Sequence, residues 1–329
     1  SKSSFKEVKK VLSGRWIGQW PLVDQFEKKF KIMFAKKNHC ISTGSGTDAL
    51  HLSYILAGLK KGDEVIAPVY TCTATNIPLL YLGAKIKFAD IDINTMNICV
   101  NSVKKLISKK TKAIVIVHYG GLPCDMAELK KLSTKYKIPI IEDAAHALGA
   151  KYNNKPIGSI SEYTMFSFQA IKHITTGDGG MLTIQNKKKF EIAKRIRWFG
   201  INREKKQKGT WENDIKEVGY KYQMTDIGAR MGLDSLNEFN KILNHRRNLF
   251  NIYLDKLSNN QNIKCINETS EKKFHAAWLF TIALEKKDYL QNKLRQNGIE
   301  SGQVHFRNDK YSIFKNFCRD IKFKNMDYL

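Results

Sequence analysis

The chain has no apolar run long enough to span a bilayer, no His-Glu-x-x-His, no Gly-x-Ser-x-Gly and no paired Cys-x-x-Cys. These gaps argue against a membrane-spanning protein, a zinc hydrolase, an elbow-type serine hydrolase and a dithiol or metal-clip protein. Six cysteines (Cys40, Cys72, Cys99, Cys124, Cys265, Cys318) follow no metal or disulfide spacing, and the expectation is reduced thiols in a cytoplasmic protein. Ser1-Lys2-Ser3-Ser4 has no signal-peptide core. Internal repeats and low-complexity tracts are missing too.

Acidic residues are scarce, 31 against 56 lysines and arginines, for a formal charge of +25. Such a balance raises the possibility of a nucleic-acid binder. The excess is nearly all lysine, though, scattered in short runs such as Lys187-Lys188-Lys189 and Lys205-Lys206 outside any nucleic-acid module. A lysine-rich proteome accounts for it better, and a basic surface would still attract an anionic substrate. The 329 residues, 42% hydrophobic and 26% charged, suffice for one large soluble domain and a smaller one.

What is present begins with helical spacing at Phe5, Val8, Val11 and Leu12, ended by Gly14. An irregular segment with Trp16 and Trp20 follows, more readily packing or subunit contact than ligand site, and a second helix starts at Val23. His39 to Leu50 reads as strand, small-residue loop and helix. Its Gly44-x-Gly46-x-x-Ala49 core suits an anion, because free backbone N–H groups and the helix dipole converge there. The acidic residue that a dinucleotide site needs at the end of the next strand is missing, since Asp63-Glu64 precede that strand. The loop therefore reads as a phosphate site without the dinucleotide.

Strands at 65–68, 85–89, 113–118 and 139–143 alternate with helices at 74–82, 102–107 and 126–136. This alternation predicts an α/β fold with a mostly parallel sheet covered by helices on both faces. Ligands of such sheets gather at the carboxyl ends of the strands. Asp143 lies at one such end, where a helix N-cap is the plainer use of an aspartate. Residues 163–168 and 181–184 complete the sheet. A helix at 190–198, a charged mobile loop at 202–216 and a long helix from the Gly219–Ile227 region to about Leu257 come next. A strand at 278–284, a helix at 288–297 and a strand at 299–306 predict a smaller α+β domain, giving 1–240 for the large domain with its N-terminal helical segment and 241–329 for the small one.

The central stretch is Ser167 to Gly180. Lys172 stands among Phe168, Ala170, Ile171 and Ile174, away from the charge runs, and is followed by Thr175, Thr176 and three glycines around Asp178. Either this is a strand–turn–strand whose lysine snorkels to water, or Lys172 is a desolvated amine able to form a Schiff base. A phosphate loop, an acid at a strand end and a secluded lysine preceded by a serine form the set that pyridoxal 5′-phosphate (PLP) requires: carbonyl anchor, ring-nitrogen partner and phosphate cradle.

With these motifs in order, the chain resembles the DegT/DnrJ/EryC/StrS family of PLP-dependent nucleotide-sugar aminotransferases over nearly its whole length. The resemblance rests on Gly46-Thr47-Asp48-Ala49-Leu50, Gly62-Asp63-Glu64-Val65-Ile66-x-Pro68, Val117-His118-Tyr119-Gly120-Gly121, Ile141-Glu142-Asp143-Ala144-Ala145-His146, Ser167-Phe168-x-x-x-Lys172-x-x-Thr175-x-Gly177-Asp178-Gly179-Gly180 and Gly219-Tyr220-Lys221-Tyr222. Tyr220 to Ile227 and Gly302 to Arg307 are most similar to the branch that aminates C4 of nucleotide-linked 4-keto sugars, which includes perosamine synthases and 4-amino-arabinose enzymes.

The resemblance implies an aspartate aminotransferase-like fold (fold type I) and a homodimer with active sites at its interface. It implies L-glutamate as donor and a nucleotide-diphosphate keto-deoxy sugar as acceptor, for glycan or lipopolysaccharide sugars. It gives Lys172 the covalent bond to PLP and the proton shuttle, Asp143 the pyridine nitrogen, His146 the ring edge, and Gly46, Thr47 and Ser167 the phosphate. The segment Tyr220 to Thr225 would reach the neighbour's site, with Tyr222 and His305 near the sugar nucleotide. Three positions depart from the pattern. Cys72 stands where an aromatic residue usually stacks on PLP, so either Tyr70 moves over or stacking is weaker. Gln223 stands where an asparagine often helps to hold the neighbour's phosphate. Family chains usually continue past Asn325 to Leu329 with a strand and a helix, so this one is either truncated or has a short small domain. The sugar-nucleotide 3-dehydratases on the same fold replace the lysine by histidine; here Lys172 is present and His173 is one position off.

Overall fold

The computed structural model describes residues 2–14, 16–207, 209–210, 214–268, 270–319 and 321–329. Helices α1 (Lys2–Leu12) and α2 (Leu22–Phe30) lead into β1 (His39–Thr43), α3 (Gly46–Leu56), β2 (Glu64–Pro68), α4 (Thr73–Tyr81), β3 (Lys85–Ala89), α5 (Val100–Leu106), β4 (Thr111–Val117), α6 (Met126–Tyr136) and β5 (Ile140–Asp143). A small hairpin, β6 (Lys151–Tyr152) and β7 (Lys155–Pro156), precedes β8 (Tyr163–Ser167) and β9 (Gly180–Ile184). Then come α7 (Lys187–Ile196), α8 (Arg203–Gln207), α9 (Asp226–Leu257), β10 (Lys264–Cys265), β11 (Lys273–Phe274), β12 (Ile282–Ala283), α10 (Lys287–Gln296) and α11 (Lys324–Tyr328).

The main sheet has seven strands in the order β1-β9-β8-β5-β4-β2-β3. Only β9 runs against the rest, pairing antiparallel with both β1 and β8, while β2, β3, β4, β5 and β8 pair in parallel. This is the mostly parallel, helix-covered architecture expected from the alternation of short apolar strands with helices. The pleat sends alternate residues to opposite faces. In β4, Ile114 and Ile116 join one apolar cluster with Phe26, Phe30, Phe166, Phe168 and Phe239; Ala113 and Val115 join the other, with Leu50, Leu52, Tyr54, Tyr163 and Phe314. Burying an aromatic side chain of this size is worth roughly 2–3 kcal/mol, so the two clusters fix the order of the layers.

Two polar devices hold the ends of the chain to this core. Asp226, in the first turn of α9, accepts the backbone N–H groups of Trp20, Leu22 and Val23 at 2.7, 3.1 and 3.2 Å. Asp90 accepts those of Asn325 and Met326 at 2.9 and 3.1 Å, docking α11 beside β3. We propose that the division into 1–240 and 241–329 follows α9, which links the sheet region to the later elements.

The C-terminal third differs most from the sequence expectation. Of residues 278–284 only Ile282–Ala283 form a strand, paired with β10. Trp278 and Leu279 instead donate their backbone N–H groups to Gly120 at 3.0 and 3.1 Å. No strand forms over the expected 299–306 stretch. Its end docks on the turn after β2, where His305 N–H donates to Tyr70 Oη at 3.3 Å and Asn308 N–H to Val69 O at 2.8 Å. Ile299 and Phe306 stay half-exposed, and the backbone bonds there go to a turn, which a strand template cannot distinguish from ladder pairing. The loop expected at 202–216 opens with α8, and its residues 208 and 211–213 lie outside the described residues. Among the described residues, no helix is long and apolar enough to cross a membrane.

Candidate active site

Because β1, β2, β4, β5 and β8 share one direction, their carboxyl ends open on one side of the sheet. There the chain places Gly46 (after β1), Cys72 (after β2), Asp143 (the last residue of β5), Ser167 (the last of β8) and the loop carrying Lys172.

The loop after β1 turns into α3 with Ser45 as its cap, the Ser45 hydroxyl accepting Asp48 N–H at 3.0 Å. Gly46 and Thr47 thus begin the helix, where backbone N–H groups have no partner within the helix. A β-carbon on Gly46 would lie 3.1 Å from Ser167 Cβ and 3.3 Å from Ser167 Oγ. The small residue keeps open the space where the helix N-terminus and the Ser167 hydroxyl meet. Gly180 works the same way on the other side, its missing β-carbon lying within 2.4 Å of Ser45 O. A phosphate fits this cradle of backbone donors and a hydroxyl.

Asp143 is buried. Its carboxylate accepts the Thr75 hydroxyl at 2.7 Å and Ala145 N–H at 3.0 Å. Burial pushes its pKa up, against those two bonds and the nearby charge of Lys172. A carboxylate in this state lacks a full counter-charge, and a protonated ring nitrogen would supply it. One layer behind, Glu142 and His118 are wholly buried and bonded at 2.7 Å. Cys124 N–H donates to His118 Nδ1 at 3.1 Å, which leaves Nε2–H to donate to the carboxylate.

Lys172 is half-buried, and its Nζ stands 3.8 Å from the centre of the Trp278 ring. Burial brings its pKa down to about 8, opposed by Asp143 and Cys72. An amine packed on a ring and lowered toward neutrality suits a Schiff-base nucleophile better than a snorkelling lysine. His146 stacks on the same indole, centroids 3.8 Å apart and planes at 17°, and accepts Gly120 N–H on Nδ1 at 3.3 Å. His305 lies nearly parallel to His146 at 5.6 Å. Burial keeps both imidazoles neutral, that of His305 down at about 4. His305 Nε2 is buried without a hydrogen-bond partner.

Tyr70 stays in the wall, tilted against Tyr119 at 5.8 Å and bonded to His305 N–H. Cys72 caps α4 and is exposed. Tyr222 turns toward α3 of its own chain, its hydroxyl 2.9 Å from His51 Nδ1 and its carbonyl accepting Gly44 N–H at 2.8 Å. Gln223 follows with Oε1 buried and unpartnered. The chain thus brings Asp143, His146, His305 and Cys72 within electrostatic reach of Lys172, with Gly46 and Ser167 in contact at the neighbouring strand ends. Sequence reasoning missed Trp278 and Thr75. A tryptophan after two alanines was the only signal for the first, and the second sits in Thr-rich sequence with none.

A comparison with known families settles what this assembly belongs to: the DegT/DnrJ/EryC1/StrS aminotransferase family matches residues 1–326. The chain belongs to that family. Among its relatives, GDP-perosamine synthase of Escherichia coli O157:H7 is 32% identical over 305 residues, 91% of this chain and 80% of that protein. The matched regions of three curated relatives take in 66% to 80% of their own lengths. Of solved structures, the sugar aminotransferase CalS13 from Micromonospora echinospora superposes with a TM-score of 0.93 at 27% identity, covering 100% of this chain and 89% of that one. A putative sugar aminotransferase from Streptococcus pneumoniae, Spr1654 in its PMP-form, does so at 0.89 and 26%, covering 99% and 88%. This DegT/DnrJ/EryC1/StrS member is a transaminase with PLP as its cofactor and has the type I PLP fold. The open cradle at Gly46, the undercompensated Asp143 carboxylate and the softened Lys172 amine fit that cofactor.

Proposed function

We propose that this transaminase moves the amino group of L-glutamate onto C4 of a nucleotide-linked 4-keto-6-deoxyhexose, for a polysaccharide or lipopolysaccharide sugar, as a cytoplasmic homodimer. The observation that carries the chemistry is Lys172, its amine beside an indole and facing a buried carboxylate at the strand ends. The C4 reading is supported by relatives named GDP-perosamine synthase and UDP-4-amino-4-deoxy-L-arabinose–oxoglutarate aminotransferase, each matching 91% of this chain. Exposed Trp16, Trp20 and Val218 offer apolar surface for a second copy.

PLP, when bound, supplies the carbonyl that takes up the amino group and the ring that draws off electrons. Asp143 holds the positive ring nitrogen, with Thr75 and Ala145 N–H fixing its carboxylate. Gly46, Thr47 and Ser167 hold the phosphate. Lys172 Nζ, once free of the cofactor, takes a proton from one substrate carbon and returns it to another position, a task suited to an amine whose pKa lies near ambient pH. The His305 Nε2 is available to a sugar hydroxyl or phosphate, and Tyr222 and Gln223 would serve a neighbouring subunit. The basic chain favours encounter with an anionic sugar nucleotide.

The experiment is incubation of PLP-loaded protein with L-glutamate and a panel of GDP-, UDP- and dTDP-linked keto sugars, read by mass spectrometry. An amino sugar and 2-oxoglutarate are expected, and Lys172→Ala should give neither. Transamination by Lys172→Ala, or a deoxygenated product in place of the amine, would overturn the reading.

A further inference from the structure

Trp278 belongs to no recognised motif of this chain, yet its side chain and its backbone are both bonded to the segments around Lys172. Its indole N–H donates to the carbonyl of Ile171, the residue immediately before the lysine, at 3.1 Å. The residue immediately after the lysine, His173, bonds Ala276 O at 2.7 Å. Ala276 N–H in turn reaches Gly121 O at 2.9 Å, Trp278 N–H reaches Gly120 O at 3.0 Å, and Arg246 holds Trp278 O at 3.3 Å. The segment 276–278 and the lysine turn are therefore clipped together on both sides of Lys172, with the indole 3.8 Å from Nζ. Cys72, near enough to act on Lys172 electrostatically, is exposed and its short side chain offers little cover.

We propose that Trp278 is a positioning residue for Lys172, its indole fixing Nζ in place and keeping water from it where the residue at position 72 leaves the opening uncovered. The inference rests on the reading of Lys172 as the PLP anchor.

Two effects of the ring oppose each other. A π-face attracts the ammonium form, by roughly 0.5–2 kcal/mol, whereas excluding water favours the neutral amine. The groups facing Lys172 are Asp143, Cys72, His146, His173 and His305. The three imidazoles are neutral through burial, so Asp143 is the principal counter-charge and it favours the ammonium. The amine nevertheless sits at about 8, with burial the largest cause and the charges of Asp143 and Cys72 opposing it; we take the water that the indole excludes as the larger of its two effects. Opening the indole side must therefore raise the titration midpoint.

The test uses cofactor-free protein. Trace acetylation of Lys172 is followed from pH 6 to 11 by mass spectrometry, in the native chain and in Trp278→Phe, Trp278→Leu and Trp278→Ala, with thermal melts confirming the fold. A midpoint that climbs as the side chain shrinks is expected, by about one unit or more in the alanine variant. PLP capture near neutral pH should slow in step, about tenfold. Equal midpoints in the variants that fold, or a midpoint that drops, would overturn the proposal. No PLP is present in the labelling, so that result would leave the aminotransferase reading standing; that reading falls separately, if Lys172→Ala still transaminates.

Discussion

Gly46 and Ser167 are pressed together at the anion end of the site, the absent β-carbon of the first standing 3.1 Å from Cβ of the second. Met165 Sδ closes the same space at 3.2 Å. A methyl group at position 46 has to push one of them aside. Overpacking of this kind costs roughly 1–3 kcal/mol, and each 1.4 kcal/mol is about tenfold in an equilibrium constant. Gly46→Ala is expected to lower the thermal midpoint of the cofactor-free protein by a few degrees and to weaken PLP binding about tenfold or more in an absorbance titration. Unchanged PLP affinity would show that the cradle lies elsewhere.

Asp143→Asn keeps the shape and the Thr75 contact but removes the charge. The variant should still capture PLP through Lys172, visible as absorbance, while the glutamate half-reaction slows by about 100-fold or more, the scale seen when one oriented electrostatic partner is lost. Single-turnover kinetics on the loaded variant check this. A variant as fast as the parent would remove Asp143 from the ring nitrogen.

The Lys172 amine titrates at about 8 in the folded chain against an ordinary 10.5. Below pH 8 both folded and unfolded states carry the proton, and the folded state bears the full cost of a half-buried ammonium. Between 8 and 10.5 the unfolded chain holds more protons at this site, so its contribution to stability rises with pH. Cofactor-free Lys172→Met should accordingly be more stable than the parent at pH 7, with the gap narrowing as the pH is raised toward 10. Denaturant melts at three pH values measure it, and a gap that widened would contradict the sign.

Behind the site, Glu142 receives Nε2–H of His118 at 2.7 Å, Ser161 N–H at 3.0 Å and the Thr164 hydroxyl at 3.3 Å. His118→Ala leaves a buried carboxylate short of a donor beside a cavity, at a cost of about 3 kcal/mol. Chemical denaturation that showed less than about 1 kcal/mol of loss would argue that the histidine is replaceable.

Much of this arrangement could be read from the chain itself. The alternation of short apolar strands with helices gave the parallel sheet, and strand ends located Asp143 and Ser167, because those signals are local. Lys172 stood out among 46 lysines by its neighbours alone. The tiny strands β6, β7 and β11 escaped notice because two residues carry no period. Trp278 escaped because what matters about it is a contact with residues 120 and 171, and no local pattern encodes a meeting of segments so far apart. The 299–306 stretch misled for the same reason: His305 answers to Tyr70 and Phe306 to Tyr311, not to a neighbouring strand.

Ser167 pairs with Gly180 across β8 and β9, and Gly180 pairs with Thr43 of β1. The residues from 168 to 179 are thus a bight tied off at its base by the ladder, with the lysine at its far side and the anion cradle at the knot. In amide exchange, the bight and the 276–279 segment clipped to it would open as one small unit well before the sheet. Exchange within the bight would then report local opening around the lysine, and exchange in the strands the global stability of the sheet.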